Sequence, residues 1–157
     1  MTLELIFALC NYSVIPAWLM LAFAPRSAWT RHFVHSAIIP VALAIAYAIL
    51  LFGDRPGPQG ASFFSLQGVS NIFTSPRTVI AAWLHYLIGD LFVGAWEVRD
   101  ARRLGIAHVW VVPSLALTLF FGPVGLASWL VLRSILRRTI SVEETPATPL
   151  SAPAVGS

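Results

Sequence analysis

The sequence predicts an all-α integral membrane protein, a four-helix bundle with a short interfacial segment between its second and third helices. Hydrophobic residues make up 57% of the 157 residues, and charged residues only 11%. Soluble domains carry about 25% charged residues, so a water-soluble fold of this composition would lack the polar surface to cover itself. Several apolar runs also reach the roughly 20 residues that cross a bilayer as a helix.

Four apolar runs are expected to form the membrane-spanning helices. Their bounds are about Leu3–Ala24, Val34–Phe52, Thr78–Val98 and Ile106–Leu132. We expect one transmembrane domain over residues 1–138 and a disordered tail over residues 139–157, because the tail is rich in Pro, Ala, Ser and Thr. The protein is therefore expected to be a multi-pass protein, and we place it in a bacterial cytoplasmic membrane.

The segment Ala61–Ser75 follows a run of turn formers and mixes aromatic with polar side chains. It is too short and too polar to span a bilayer, so we expect an amphipathic segment at the interface.

The arginines indicate contact with lipid headgroups but no orientation. All ten basic residues are arginines and they lie at segment ends, where they fit anionic headgroups; nothing indicates nucleic acid. With four alternating spans both ends of the chain would lie on one side, and the arginines would divide five against five. The positive-inside rule then gives a tie.

Asp90 is the most informative polar residue, because it lies inside the third apolar run. A carboxylate near the middle of a spanning helix costs roughly 3 kcal/mol, so it is expected to be paired, to face other helices or to be used. Residues at spacings of three and four share one face of a helix with Asp90. This stripe consists of Trp83, Tyr86, Asp90, Val93 and Glu97.

His85 lies off the stripe and five residues from Asp90, so the two do not stack directly on an ideal helix. We expect each to face the bundle interior and to find a partner on another helix, for example Asn11 or Tyr12. A buried carboxyl group can be neutral near pH 7. That suits a general acid, and equally a structural hydrogen-bond donor.

A second polar group lies near the face that carries the first and third connections. It consists of His32, His35, Glu97, Asp100 and His108. Ion pairs with the five arginines at the same level are the favoured interpretation. His35, His108 and Glu97 have ligand types that suit zinc or iron, but no metal-binding spacing supports them, so no metal site is predicted.

The cluster Gly122–Gly125 is expected to break the fourth helix and to close a cleft against the third helix, as broken helices do at membrane sites. The alternative is that these small residues only ease close helix packing. Aromatic residues are expected to line the cleft. They are Trp83, Tyr86, Trp110, Phe120 and Phe121.

Four stretches of the chain resemble, in order, the ABA4-like family. They are Asn11–Arg31 (NYSVIPAWLMLAFAPRSAWTR), Phe64–Arg77 (FSLQGVSNIFTSPR), Trp83–Gly94 (WLHYLIGDLFVG) and Pro113–Arg133. The family consists of small four-helix membrane proteins named for the plant protein needed to make neoxanthin on the route to abscisic acid. Its third-helix motif usually reads FDLFVGxW with a basic residue inside it, whereas this chain has Gly89 and Ala95 at those places.

The resemblance implies a carotenoid-related role with no redox cofactor. Conversion of violaxanthin to neoxanthin opens an epoxide while a proton leaves the polyene, which needs an acid at the oxygen and a base at the carbon. The family motif points to His85, Asp90, His108, Pro123 and Gly125. Asp90 is the expected acid, and His85 or His108 the expected base.

The expected ligand is a carotenoid or another apolar molecule within the membrane lipid. Its predicted binding residues are Asn11, Trp83, Tyr86, Trp110, Phe121 and Gly125. Two rival functions stay open. One is a protein that holds a carotenoid, or supports a partner membrane enzyme, without chemistry of its own; the other is haem or metal binding through the histidines.

Overall fold

The structure is a computed structural model that describes residues 2–36, 38–53 and 57–142. Within these ranges the regular structure is helical and contains no β-strand, so the predicted all-α class is confirmed. Most of the predicted tail, residues 143–157, lies outside the described residues, and its expected disorder stays a prediction.

Three helical stretches are long and apolar enough to cross a membrane, as the first three predicted spans require. The first comprises α1 (Leu3–Ser13) and α2 (Ile15–Phe23), which meet near Pro16, a residue without a backbone N–H. The second runs from a short π-helix, Thr30–Val34, into α3 (Ile38–Phe52).

Between the second and third spans, the described residues 57–75 contain one short helix, α4 (Leu66–Ile72). Ser65 caps it by accepting a hydrogen bond from the backbone N–H of Gly68 at 3.0 Å. The aromatic ring of Phe64 beside it is 99% exposed. A seven-residue helix with outward apolar groups fits the predicted interfacial segment.

The third span is α5 (Pro76–Arg103), a helix of 28 residues against which the other elements pack. Its inner face is closed by Leu84, Leu91 and Val98, which are at most 1% exposed and recur every seven residues. Gly94 allows close approach, since an added Cβ would lie 2.7 Å from the Trp18 ring of α2.

The segment expected to form the fourth span is a helical hairpin. After a 3-10 turn at His108–Trp110, α6 (Val112–Phe121) and α7 (Pro123–Arg137) are joined at Gly122. The Ser128 hydroxyl donates to the Ser114 hydroxyl oxygen at 3.0 Å. In one continuous helix, residues 14 positions apart would be separated by about 21 Å, so α7 must fold back along α6.

The cause of the reversal is local. Gly122 has a φ of +43°, a conformation that costs glycine little and other residues more. Pro123 follows at the first position of a new helix, where its missing N–H is no loss. The predicted four-helix bundle is therefore not confirmed: three helical stretches are long and apolar enough to span a membrane, and the remaining apolar segment doubles back.

The hairpin returns to the Arg103 end of α5, because Arg137 donates a hydrogen bond to the Gly105 carbonyl. Leu3, by contrast, shares a surface cavity with Pro76 at the opposite end of α5. The two ends of the described chain thus lie at opposite ends of α5, not together as four alternating spans would place them.

This arrangement also changes the expected distribution of arginines, which was five on each side of the membrane. Of the nine arginines that the structure describes, all except Arg77 lie toward the Arg103 end of α5. They are Arg26, Arg31, Arg99, Arg102, Arg103, Arg133, Arg137 and Arg138.

A buried ion pair fastens the base of the hairpin to α5. Asp100 is 1% exposed, and its Oδ2 lies 3.0 Å from Arg133 NH1 and accepts from Trp129 Nε1 at 3.1 Å. Its Oδ1 accepts from Arg103 NH2 at 2.6 Å. Asp100 is thus held in ion pairs, as the sequence indicated for this face of the protein.

Candidate functional site

A cleft of about 350 Å³ lies between the middle of α5 and the tip of the α6–α7 hairpin. Its lining is apolar except for one carboxyl group, one phenol and one imidazole. The lining residues are His85, Tyr86, Gly89, Asp90, Val93, Gly122, Pro123 and Leu126. The third helix and the Gly122 break therefore form a cleft together, which is the place that the sequence predicted for one.

Asp90 lies at the back of this cleft, against the turn of the hairpin. A Cβ added to Gly122 would lie 2.8 Å from Asp90 Oδ1, so the carboxyl group contacts the Gly122 backbone directly. The helix α7 begins at this point, and the N-terminus of a helix carries a partial positive charge. Within the described residues, Asp90 has no ion pair, and its buried Oδ2 has no hydrogen-bond partner.

Tyr86 lies beside Asp90 in the cleft. It is one turn before Asp90 on α5, so the two side chains share one face of the helix, and both line the cleft. The Tyr86 hydroxyl also donates to the Leu119 carbonyl at 3.3 Å. Leu119 belongs to the last turn of α6, whose carbonyls have no partner within their own helix.

His85 lines the same cleft from its outer edge. Its side chain is exposed, and its ring centroid lies 6.2 Å from that of Tyr47 on α3, with the ring planes at 46°. The predicted partners Asn11 and Tyr12 are not used by either His85 or Asp90. The cleft nevertheless brings the predicted acid and one of the two predicted bases to one surface.

The predicted ligand residues Asn11 and Trp83 are not among the residues that line the cleft. Asn11 Oδ1 accepts a hydrogen bond from Trp83 Nε1 at 2.9 Å. The Trp83 ring in turn lies 5.2 Å from Tyr86 and 6.2 Å from Phe7, between ring centroids. Asn11 therefore holds the Trp83 ring in place, and this ring lies between those of Phe7 and Tyr86.

Other predicted site residues lie away from the cleft. His108 is at the Arg103 end of α5, where its Nε2 lies 2.9 Å from the Ala22 carbonyl oxygen, and Trp110 follows in the same turn with 54% exposure. Phe121 projects from the hairpin tip with 61% exposure. Gly125 is a packing residue, since an added Cβ would lie 2.1 Å from the Thr118 backbone N.

A family model described as ABA DEFICIENT 4-like matches residues 5–129. The chain belongs to the ABA4-like family. It is also 27% identical over 140 residues to Protein ABA DEFICIENT 4, chloroplastic, from Arabidopsis thaliana. The match covers 83% of this chain and 61% of the relative, so the chain spans only part of the relative's length. No solved structure matches the chain.

The matched region of this ABA4-like chain contains the whole cleft. The resemblance seen in the sequence is thereby confirmed at the level of the family. The relative is described as chloroplastic, which gives no support to the expectation of a bacterial cytoplasmic membrane.

Glu97 is a polar residue of the ABA4-like core that the sequence analysis did not assign to the functional site. It is fully buried, and its Oε1 accepts a hydrogen bond from the Thr118 hydroxyl of α6 at 2.8 Å. Its Oε2 has no partner among the described residues. The helical stripe through Asp90 and Glu97 was the available signal, because it placed both carboxyl groups on the face that meets the hairpin.

Gly89 is a second residue that the sequence did not assign to the site. A Cβ added there would meet no atom within 4 Å, so the glycine leaves space beside Asp90. Only the three-dimensional packing of the hairpin identifies this space as part of the cleft.

The histidines of the ABA4-like chain are not brought together as ligands. Among the described residues, no group of three or more His, Cys, Asp or Glu side chains could hold a metal ion. Nδ1 of His35 lies 3.4 Å from Arg99 NH1, His108 contacts the Ala22 carbonyl, and Glu97 is bonded to Thr118.

Proposed function

We propose that this ABA4-like protein binds the end group of a carotenoid or related polyene lipid in the Asp90 cleft and isomerises it by acid–base chemistry. The observation that carries the proposal is a carboxyl group without an ion-pair partner among the described residues, at the back of an apolar intramembrane cleft. The name of the relative, ABA DEFICIENT 4, supports a role on the carotenoid route to abscisic acid.

The size and the lining of the cleft support an apolar ligand that is only partly enclosed. About 350 Å³ is at the lower end of the range for small-molecule sites. It suits one ring-shaped end group, with the remaining polyene lying in the lipid. Val93, Pro123 and Leu126 supply the apolar walls, and Tyr86 and Asp90 supply the polar contacts.

The surroundings of Asp90 support an acidic role. The Tyr86 hydroxyl gives its hydrogen to the Leu119 carbonyl, and neither ion pair among the described residues includes Asp90. A carboxyl group that lies in an apolar site without a counter-charge is favoured in its neutral, protonated form. A protonated carboxyl group beside an apolar cleft can deliver its proton to an epoxide oxygen.

The proposed reaction balances without an electron acceptor. Asp90 protonates the epoxide oxygen, the adjacent C–O bond breaks, and the resulting cation loses a proton from a polyene carbon to form a new C=C bond. His85 is the proposed base, because it lines the same cleft and His108 does not. Return of that proton from His85 to Asp90 restores the protein, so the product is an isomer of the substrate.

A second candidate function is binding without chemistry, in which the protein holds a carotenoid or presents it to a partner membrane enzyme. It is favoured by the position of Asp90 against the Gly122 backbone, which gives the carboxyl group a structural use at the turn of the hairpin. The haem or metal alternative receives no support from the side-chain arrangement of the described residues.

The test uses the full chain in liposomes with violaxanthin, which carries epoxides, and zeaxanthin, which does not. We expect both pigments to bind and only violaxanthin to yield a product of unchanged mass. Asp90→Asn should keep binding and lower the conversion rate by about 10²–10⁴-fold, the usual contribution of a general acid. Glu4→Gln, which changes an exposed carboxyl group on α1, should leave both properties unchanged.

Three outcomes decide between the candidates. Conversion that persists in Asp90→Asn would exclude the acid role. Binding of both pigments without any conversion by the unmodified chain would select the binding function. Failure of the unmodified chain to bind either pigment would exclude both candidates.

A further inference from the structure

A second cavity, also of about 350 Å³, lies between α3 and α5 on the face of α5 away from the Asp90 cleft. Its polar end is formed by His35 and Arg99. Its apolar part includes Pro40 of α3 and Phe92 and Ala95 of α5. The cavity thus has a basic end and an apolar end.

The basic end has no acidic partner among the described residues. Arg99 NH1 lies 3.4 Å from Nδ1 of His35, and Arg102 is close enough to act on the same ring electrostatically. The two ion pairs in the described part of the chain both use Asp100, which is directed to Arg103 and Arg133. Arg99 is therefore a half-buried cation beside an imidazole, without an ion pair among the described residues.

The His35 ring leaves a further donor without an acceptor. If Arg99 donates to Nδ1, the neutral ring carries its hydrogen on Nε2. Nε2 is buried and has no hydrogen-bond partner among the described residues. An anion at this end of the cavity would supply a counter-charge for Arg99 and an acceptor for Nε2 of His35. Hydrogen bonds to ionised groups are about twice as strong as neutral ones.

The position of the cavity identifies the kind of anion. It opens at the end of α5 where eight of the nine described arginines lie, the end expected to meet lipid headgroups. Phe92 is seven residues before Arg99 on α5, which places it about 10 Å deeper along the helix. A phospholipid matches this cavity, because its phosphate can lie next to Arg99 while an acyl chain extends along Ala95 and Phe92.

We propose that the Arg99–His35 cavity binds an anionic phospholipid, with the phosphate at Arg99 and an acyl chain against Phe92. The test is native mass spectrometry of the full chain in a neutral detergent, with phosphatidylglycerol and phosphatidylcholine that carry the same acyl chains. We expect phosphatidylglycerol to bind at least about tenfold more tightly, the effect of one charge-assisted contact.

Two variants separate a specific site from general attraction. Arg99→Gln should reduce phosphatidylglycerol binding to the level of phosphatidylcholine. Arg31→Gln removes one exposed positive charge from the same end of the protein and should leave the preference intact. Arg99→Lys keeps the charge and should keep a reduced preference, so it tests the site even if Arg99→Gln fails to fold.

Two results would overturn the proposal of a specific lipid site. The first is equal affinity of the unmodified chain for the two lipids, and the second is an equal loss of phosphatidylglycerol affinity in Arg99→Gln and Arg31→Gln. Displacement of phosphatidylglycerol by millimolar inorganic phosphate would show a site for free phosphate and would overturn the assignment to a lipid.

Discussion

Replacing Gly125 by alanine tests the helical hairpin directly. The new Cβ would lie 2.1 Å from the Thr118 backbone N, whereas ordinary contacts begin at 3.4 Å. Because two of the three obstructing atoms belong to the Thr118 backbone, α6 and α7 would have to separate by about 1.3 Å, the difference between these distances. Such a shift would also break the hydrogen bond between Ser128 and Ser114, which is 3.0 Å long.

The expected loss of stability follows from these two effects. Overpacking costs typically 1–3 kcal/mol and a lost hydrogen bond about 1 kcal/mol, so Gly125→Ala should destabilise the protein by roughly 2–4 kcal/mol. For a chain of this length, that lowers the thermal midpoint by roughly 5–15 °C. The assay is thermal unfolding in detergent micelles, followed by circular dichroism.

Gly89→Ala is the matched control, because it makes the same chemical change in a helix where the Cβ meets nothing within 4 Å. It should be neutral or stabilising by up to about 1 kcal/mol, the helix-propensity difference between the two residues. Equal midpoints for Gly125→Ala and Gly89→Ala would show that α6 and α7 do not pack as a hairpin.

Two further predictions follow from the topology and from the buried ion pair. In a cysteine-free background, Ala28→Cys and Val142→Cys should be labelled from one side of the membrane and Ser70→Cys from the other. Four alternating spans would instead place Val142 on the side opposite Ala28. The positive-inside rule makes the Ala28 side cytoplasmic in a bacterial host. Arg133→Leu should cost about 3–5 kcal/mol, because the buried Asp100 carboxylate would lose its buried partner and keep only the partly exposed Arg103. Adding Asp100→Leu should recover much of this loss, as chemical denaturation would show. No recovery in the double variant would contradict this account.

The third helix could be predicted from the sequence because its signals are local. A helix repeats every 3.6 residues, so spacings of three and four placed Tyr86, Asp90 and Glu97 on one face without any knowledge of the neighbours. The high cost of a lipid-exposed carboxylate indicated that this face meets protein. Both inferences agree with the structure, in which the face packs against the hairpin.

The hairpin could not be predicted in the same way. Length and hydrophobicity of Ile106–Leu132 are the same for one continuous span as for two helices that fold back on each other. The distinction depends on the φ of Gly122 and on a contact between Ser114 and Ser128, and neither is encoded in local apolarity. The break itself was visible in the Gly and Pro residues, but the angle of the chain after it was not.

The distribution of arginines was predicted wrongly as a consequence of the assumed fourth span. Arg133, Arg137 and Arg138 were assigned to the end of α5 opposite Arg103 only because a fourth span was assumed. The hairpin brings them to the Arg103 end, where Arg133 pairs with Asp100 and Arg137 bonds to Gly105. The described arginines are then no longer divided evenly between the two ends of α5, since eight of the nine lie at the Arg103 end. This asymmetry predicts an orientation of the protein in the membrane, which can be tested.

The position of Asp90 and the shape of the hairpin explain each other. A chain that reverses inside a membrane exposes backbone polar groups at its turn, and these must be satisfied by protein. The Tyr86 hydroxyl satisfies the Leu119 carbonyl, and the Asp90 carboxyl group lies against Gly122, where α7 begins. The same turn gives a polar, partly positive environment to a carboxyl group that lipid would not tolerate. The polar backbone groups of the turn and the Asp90 carboxyl group therefore lower each other's free-energy cost of burial. The cleft is the space left between α5 and the tip of the hairpin.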